Sequence, residues 1–386
     1  MTTEDPIYLD FNATTPIDLE VVEAMLPFLR THFGNPSSGH IYGHRAREAI
    51  EHARAQVAAL IGARPSEIVF TGSGTEANNM ALRGAACAHD RGGRMACSAI
   101  EHPAVAKPCQ FLGLRGWAIA TIPVDETGLV DMQAADAAIR HGTVMVSVMH
   151  SNNEIGTIQP IRALADLAHS RGALMHTDAA QSVGKVSVNV NDLGVDALTI
   201  VGHKLYAPKG IGALYIRKGA AIAPTSFGGG QEGGMRPGTE NVALIVALGA
   251  ACGIARRNLA EDEPRLRTLR DRLWSRLQAD IPGIRLNGHP EWRLPNTLNV
   301  SFPGVRGNAV LTAAPNLAAS TGSACHEGEE APSSVLTEMG CCHERALGAV
   351  RLSVGRTTMI AEVDSVVADL VKAWQHVRAR TANGGK

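Results

Sequence analysis

Aromatic residues make up only 4% of this 386-residue chain, whose hydrophobic share is an ordinary 45%. That scarcity speaks against a sandwich of short aromatic-rich strands and for helices covering buried strands. An excess of one charge is equally lacking: 36 Lys and Arg stand against 37 Asp and Glu, a formal net charge of −1. Nothing is left over to neutralise a nucleic-acid backbone or an anionic membrane, so a small molecule or a protein is the expected partner, with no nucleic acid and no membrane. No apolar run reaches the ~18 residues of a membrane span, and no basic-then-apolar leader stands at Met1 to Pro6. The seven cysteines form no CxxC pair and no Cys/His zinc spacing. Scattered thiols in odd number point to a reducing, cytoplasmic setting and raise the question of whether one of them is catalytic. There is no internal repeat, no GxGxxG and no Walker lysine, so a dinucleotide or nucleoside triphosphate is poorly supported.

What is present is alternation. Residues 20–30, 46–60, 77–86 and 161–170 read as amphipathic helices, and the apolar runs 67–70, 144–149, 173–176, 197–201 and 212–216 read as strands. Strands that are apolar throughout, interleaved with helices, indicate a mainly parallel sheet covered on both faces. From about Glu261 the texture changes to a long charged helix over 263–279, a strand around 297–302 and further helices. The expected division is a large domain over 14–257 and a smaller α/β domain over 258–386, with residues 1–13 packed against it.

Three segments carry chemistry. Thr71-Gly72-Ser73-Gly74-Thr75-Glu76 joins a strand to a helix through glycines, which makes an anion site suited to one small phosphate. His176-Thr177-Asp178-Ala179-Ala180-Gln181 puts an acid at the end of an apolar strand, where open α/β sheets bind ligands. Gly202-His203-Lys204 comes after the next strand. A carboxylate and a lysine at neighbouring strand ends suit pyridoxal phosphate (PLP), the lysine as Schiff-base former and the acid on the pyridine nitrogen. By spacing alone a strand-end lysine is more often a solvated surface charge.

The wording HxDAAQ, then GHKxxxPKG, resembles class V aminotransferase-like enzymes of PLP fold type I, and among them the cysteine desulfurase and selenocysteine lyase family. The likeness also takes in Tyr8 to Pro16, Gly34 to Ser38, Glu101 to Val105, Asn152 to Gly156, Arg236 to Asn241, Gly322 to Cys325 and Arg351 to Arg356. It implies an α/β fold whose large domain holds a mainly parallel, seven-stranded-type sheet. It implies Lys204 as the cofactor lysine, Asp178 on the pyridine nitrogen, Gln181 on the ring hydroxyl and His102 stacked on the ring and moving protons. Gly74, Thr75 and His203 would hold the phosphate, with Thr239 reaching it from the other subunit of a homodimer. Asn153 would contact cofactor or substrate, and Arg356 would grip the substrate carboxylate. Cys325, in the small-residue segment 320–330, matches the persulfide-carrying thiol, while the other six cysteines read as structural.

The expected reaction is L-cysteine to L-alanine, with sulfur passed to Cys325 and on to an acceptor protein: an iron–sulfur scaffold, a tRNA-thiolation protein or a biosynthetic pathway. Selenocysteine lyase is the alternative. Many desulfurases have Ser where this chain has Val201, and Val201 to Lys204, Arg293 to Thr297 and Ala324 to His326 are worded as in selenocysteine lyases. The length of the Cys325 segment and Pro103 after His102 favour the desulfurase. An aminotransferase of the same fold would not need Cys325, and a non-catalytic scaffold would need no cofactor. No metal site is expected.

Overall fold

The structure, a computed structural model, describes residues 5–89, 92–321 and 331–383. The chain runs through β1 (Ile7–Tyr8), α1 (Leu19–Arg30), α2 (Ile41–Ile61), β2 (Ile68–Thr71), α3 (Gly74–Cys87), β3 (Arg94–Ser98), α4 (Pro103–Leu114) and β4 (Ala118–Ile122). It continues with α5 (Met132–Ala138), β5 (Thr143–Ser147), α6 (Ile161–Ser170), β6 (Leu174–Asp178), α7 (Val190–Leu193), β7 (Ala197–Val201) and β8 (Gly212–Ile216). Then come α8 (Val242–Asp280), β9 (Arg285–Asn287), β10 (Thr297–Ser301), α9 (Gly307–Thr312), β11 (Leu317–Ala318), α10 (Ser334–Glu338), α11 (His343–Leu347), β12 (Ala349–Ser353) and α12 (Ile360–Asn383).

Seven strands form the main sheet in the order β2-β8-β7-β6-β5-β3-β4. β8 runs antiparallel to β2 and β7, and the other neighbours are parallel. The central strands are buried because both faces are covered: every residue of β5, and all but the first of β6 and the last of β7, is shielded from solvent. The covering helices arise from their patterning. α6 buries Ile161, Leu164, Ala165 and Ala168, the i, i+3, i+4, i+7 stripe of one face. α2 stops at Gly62, whose φ of +68° is the left-handed cap that glycine adopts freely.

A second core gathers Leu9, Leu298, Val300, Phe302, Val350, Leu352, Val363, Val367, Leu370 and Trp374 around the antiparallel sheet β12-β10-β9. β1 pairs in parallel with β11, and a bridge between Asp10 and Ser353 continues the N-terminal segment alongside β12.

The two cores are not joined by a linker near residue 257. α8 runs unbroken for 39 residues, with Pro264 inside it. Its first half buries Ile245, Leu248, Ala251, Cys252 and Ala255 in the main core, and its second half buries the stripe Leu266, Leu269, Leu273 and Leu277 in the second, with Arg270 buried beside it. The change of texture at Glu261 therefore marks a change in how many faces of one helix are covered, not the start of a new element. By length and composition α8 also passes for a membrane span, and its burial in the main core accounts for that apolar stretch.

Candidate active site

Five segments at the carboxyl ends of strands converge on one cleft of about 280 Å³. They are the turn after β2, the turn after β3, the segment after β5, the end of β6 with the turn behind it, and the turn after β7. This is the position at which open α/β sheets bind ligands. The cleft is lined by Gly74, Thr75, His102, Asn153, Asp178, Gln181, His203 and Lys204, so eight of the residues singled out in the sequence meet there.

Each is held by a local reason. Ser73 caps α3 by accepting from the Glu76 N–H at 3.1 Å, which leaves the Gly74 and Thr75 amides at the positive end of the helix. A Cβ on Gly74 would lie 2.3 Å from Val201 Cγ2, so only glycine lets α3 start this close to β7. Val201 thus occupies the space beside the helix N-terminus where a serine hydroxyl is absent. His102 caps α4, its Nδ1 accepting from the Ala104 N–H at 3.1 Å. With Nδ1 committed, neutral His102 carries its proton on Nε2. Burial lowers its pKa and so does the Lys204 charge, while the Asp178 charge opposes them.

Asp178 closes β6 and is buried, with Oδ2 accepting from Asn78 Nδ2 at 2.7 Å and Oδ1 from the Ala180 N–H at 3.0 Å. Asn78 lies one helical turn after Gly74 and thus on the same face of α3. Lys204 Nζ donates to the main-chain carbonyls of Asn12, at 2.6 Å, and Ala13, at 2.5 Å. Burial pushes its pKa down to about 8, with the Arg351 charge adding to the effect and Asp10 and Asp178 opposing it. His203 is pushed down to about 4, chiefly by burial. Gln181 Nε2 donates to the Asn12 carbonyl at 2.9 Å, and its Oε1 accepts from Lys185 Nζ at 2.8 Å.

Arg356 is elsewhere. Its Nε donates to Asp262 at 3.0 Å, its guanidinium lies 4.4 Å over the Tyr206 ring, and it does not line the cleft. The arginine in the cleft is Arg351, on β12, which donates to Asp10 at 2.6 Å and to the Asn153 carbonyl at 3.1 Å; its buried Nε has no partner. The expectation that Arg356 grips a substrate there is corrected accordingly: its position just past the end of β12 carries it away from the face on which Arg351 stands. Thr239 also lies outside the cleft, lining a separate hollow with Arg236, Gly72 and Glu240.

Cys325 lies outside the described residues. Of the other cysteines, Cys97, Cys109 and Cys252 are buried, Cys341 is half-buried, Cys87 and Cys342 are exposed, and none of the six is in a disulfide. Among the described residues no group of His, Cys, Asp and Glu could hold a metal ion. Site residues that sequence reasoning missed are Asn12 and Ala13, Asn78, Lys185 and Arg351. Asn12, Ala13 and Arg351 sit inside quoted motifs, and Asn78 is at the i+4 position from Gly74. Lys185 gave no signal.

The Aminotransferase class-V family profile matches residues 7–366. The chain is 46% identical over 375 residues to a cysteine desulfurase IscS of Dictyoglomus turgidum, covering 96% of this chain and 95% of that one. Among solved structures it is similar to a NifS-like protein at a TM-score of 0.90, with 35% identity, 96% of this chain and 100% of the other covered. It is likewise similar to SspA in complex with cysteine, at a TM-score of 0.79, 35% identity and 90% and 98% coverage. With its fold, its strand-end lysine and aspartate and these relatives together, the chain belongs to the class-V aminotransferase family and, within it, to the cysteine desulfurases, which are PLP-dependent enzymes.

Proposed function

We propose that this chain is a PLP-dependent desulfurase that converts L-cysteine to L-alanine and passes the sulfur to Cys325. The observation that carries the reading is Lys204, its amine lowered to about 8 and held by two carbonyls in a cleft shared with Asp178 and the N-terminus of α3. The donor set fits the cofactor: an acid for a pyridinium, a helix N-terminus opened by Gly74 for a phosphate, an orphaned buried Asn78 Oδ1 and an amine in the cleft. When bound, PLP supplies an electron sink that acidifies the substrate α-carbon and takes up the charge left there.

The work is divided among several residues. Lys204 holds the cofactor, and its lowered pKa suits a group that takes and returns the α-proton near neutral pH. Asp178 would keep the pyridine nitrogen protonated, Gln181 would donate to the ring hydroxyl, and the Gly74 and Thr75 amides with His203 would hold the phosphate. His102 would cover the ring and offer its Nε2 proton, while Asn153 would contact cofactor or substrate. Arg351 binds the substrate carboxylate, because its fork in the cleft matches a carboxylate bidentately. The Cys325 thiolate attacks the substrate sulfur, the carbon–sulfur bond breaks, and a persulfide forms on Cys325 while a proton reaches the β-carbon and alanine leaves.

Thr239 serves the phosphate of a second copy in a homodimer. Supporting this is the place of Thr239, which lies outside the cleft of its own chain in a hollow shared with Gly72 and Arg236. The sulfur then goes to a protein acceptor in a reducing compartment, the cytoplasm, where Cys325 stays a thiol.

Alanine release from L-cysteine and from L-selenocysteine by PLP-reconstituted protein, wild type and Cys325→Ala, tests the reading. Turnover of cysteine that Cys325→Ala abolishes is the expected outcome. Turnover of selenocysteine alone, retained in Cys325→Ala, would make the protein a selenocysteine lyase. No alanine from either substrate would sink the reading.

A further inference from the structure

Lys185 is buried, with 6% of its surface exposed, on the turn just beyond Gln181. Among the described residues no carboxylate forms an ion pair with it. The charges it meets are those of Lys204 and Arg351, and burial together with these holds its pKa well below the usual lysine range. A neutral amine has two N–H donors, and Lys185 Nζ spends them on two acceptors: Gln181 Oε1 at 2.8 Å and Asn12 Oδ1 at 3.2 Å.

Asn12, with Ala13, supplies the carbonyl seat of Lys204, and Gln181 is bound to that same Asn12 carbonyl. Asn12 Oδ1 also accepts from Asn296 Nδ2 at 3.0 Å, and Asn12 Nδ2 donates to Thr297 Oγ1 at 2.8 Å and the Asn153 carbonyl at 3.2 Å. The Asn12 main-chain carbonyl then takes both Gln181 Nε2, at 2.9 Å, and Lys204 Nζ, at 2.6 Å. The result is a closed ring of contacts, Lys185 to Gln181 to Asn12 and back, with Lys204 hanging from it. With Oε1 locked by Lys185 and one Nε2 hydrogen on Asn12, Gln181 has a single amide hydrogen left for the cleft.

A buried amine with no ion-pair partner is unfavourable for folding, and an apolar side chain of the same length would fill the same volume without that penalty. We infer that Lys185 is a positioning residue for the reaction: by hydrogen-bonding Gln181 and Asn12 it fixes the orientation of the Gln181 amide and the carbonyl seat of Lys204. The inference rests on Lys204 and Gln181 serving the cofactor as proposed above, and it adds a residue that touches neither cofactor nor substrate.

The test is a double-mutant cycle on full-length, PLP-reconstituted protein: wild type, Lys185→Met, Gln181→Leu and the double variant. It is read by the absorption band of bound PLP, by kcat and KM for cysteine, and by thermal unfolding of the cofactor-free forms. Lys185→Met is expected to shift the absorption band and lower kcat roughly 10-fold, the scale typical of supporting partners, with KM nearly unchanged and the cofactor-free protein no less stable. In the Gln181→Leu background the same substitution should cost clearly less than in the wild type, because only the part of its effect that travels through Asn12 is left. Wild-type spectrum and kcat in Lys185→Met, or losses that simply multiply in the double variant, would overturn the inference. If Lys185→Met does not fold, Lys185→Gln takes its place in the cycle with the same two outcomes. Wild-type protein that takes up no PLP would overturn the proposed function first, and this inference with it.

Discussion

Arg351 and Arg356 are five positions apart in one motif, yet their surroundings separate their roles. Arg351 stands in the cleft, whereas Arg356 lies outside it, with Nε on Asp262, its guanidinium over the Tyr206 ring and its main-chain N–H donating to the Tyr206 hydroxyl at 2.7 Å. Arg351→Gln should therefore raise KM for cysteine roughly 10- to 100-fold, the loss of a charge-assisted bond to the substrate carboxylate. Arg356→Gln should leave KM within about 2-fold and lower unfolding stability by about 1–3 kcal/mol, since it breaks a partly buried contact away from the cleft. Steady-state kinetics beside urea unfolding separates the two, and equal KM effects would contradict the assignment.

At the level of elements, the start of α3 is set by its contact with the end of β7. Gly74 and Val201 interlock so closely that a methyl at Gly74 has no room. Gly74→Ala should push the helix N-terminus away from β7, at a strain of about 1–3 kcal/mol, and weaken PLP binding about 10-fold, measured by titration of the cofactor-free protein. Val201→Ala added to Gly74→Ala should restore most of that affinity. A double variant as weak as the single one would show that the helix end is held by something other than Val201. The clasp formed by Arg54 works similarly on the segment leading to Thr239. Its guanidinium takes both Glu232 oxygens at 2.8 Å, and Glu232 sits at φ +50°, a left-handed conformation that a non-glycine residue adopts only when its surroundings hold it there.

For the molecule as a whole, the buried groups set how stability responds to acid. His150 and His176 are pushed by burial to about 4 and about 3, below the 6.5 of a free histidine. As pH falls from 6.5, the unfolded chain binds protons that the folded one refuses, so their contribution to stability is lost. Glu101 and Glu154 are raised by burial and work the other way, but only above about 4.5, where the unfolded carboxyls ionise. Between 6.5 and 4.5 the two sets offset one another. Below 4.5 the histidines act without that offset, and Glu67, held near 2 chiefly by its bond to Arg64, adds to the loss. Urea midpoints should thus fall steeply from pH 4.5 to about 3, and His176→Gln should flatten that slope by about 1.4 kcal/mol per pH unit. An unchanged slope would mean that His176 takes up its proton alike in the folded and unfolded chain.

Local information carried a good part of this protein. Apolar strands, the stripe of α6, the glycine turn before α3 and the acid and lysine at the ends of β6 and β7 depend on neighbours within a few residues, and so they were legible in the sequence. What tertiary structure alone decided is which distant groups meet those ends. The carbonyls of Asn12 and Ala13 reach Lys204 because the N-terminal segment is bridged beside β12, and Arg351 rather than Arg356 enters the cleft because of where β12 ends. Lys185 finds Asn12 only once both cores are assembled, and α8 is one helix because two cores need the same scaffold. The physical reason is register. Side chains alternate across a strand with a period of two, so pairing, and not composition, selects the face each one occupies.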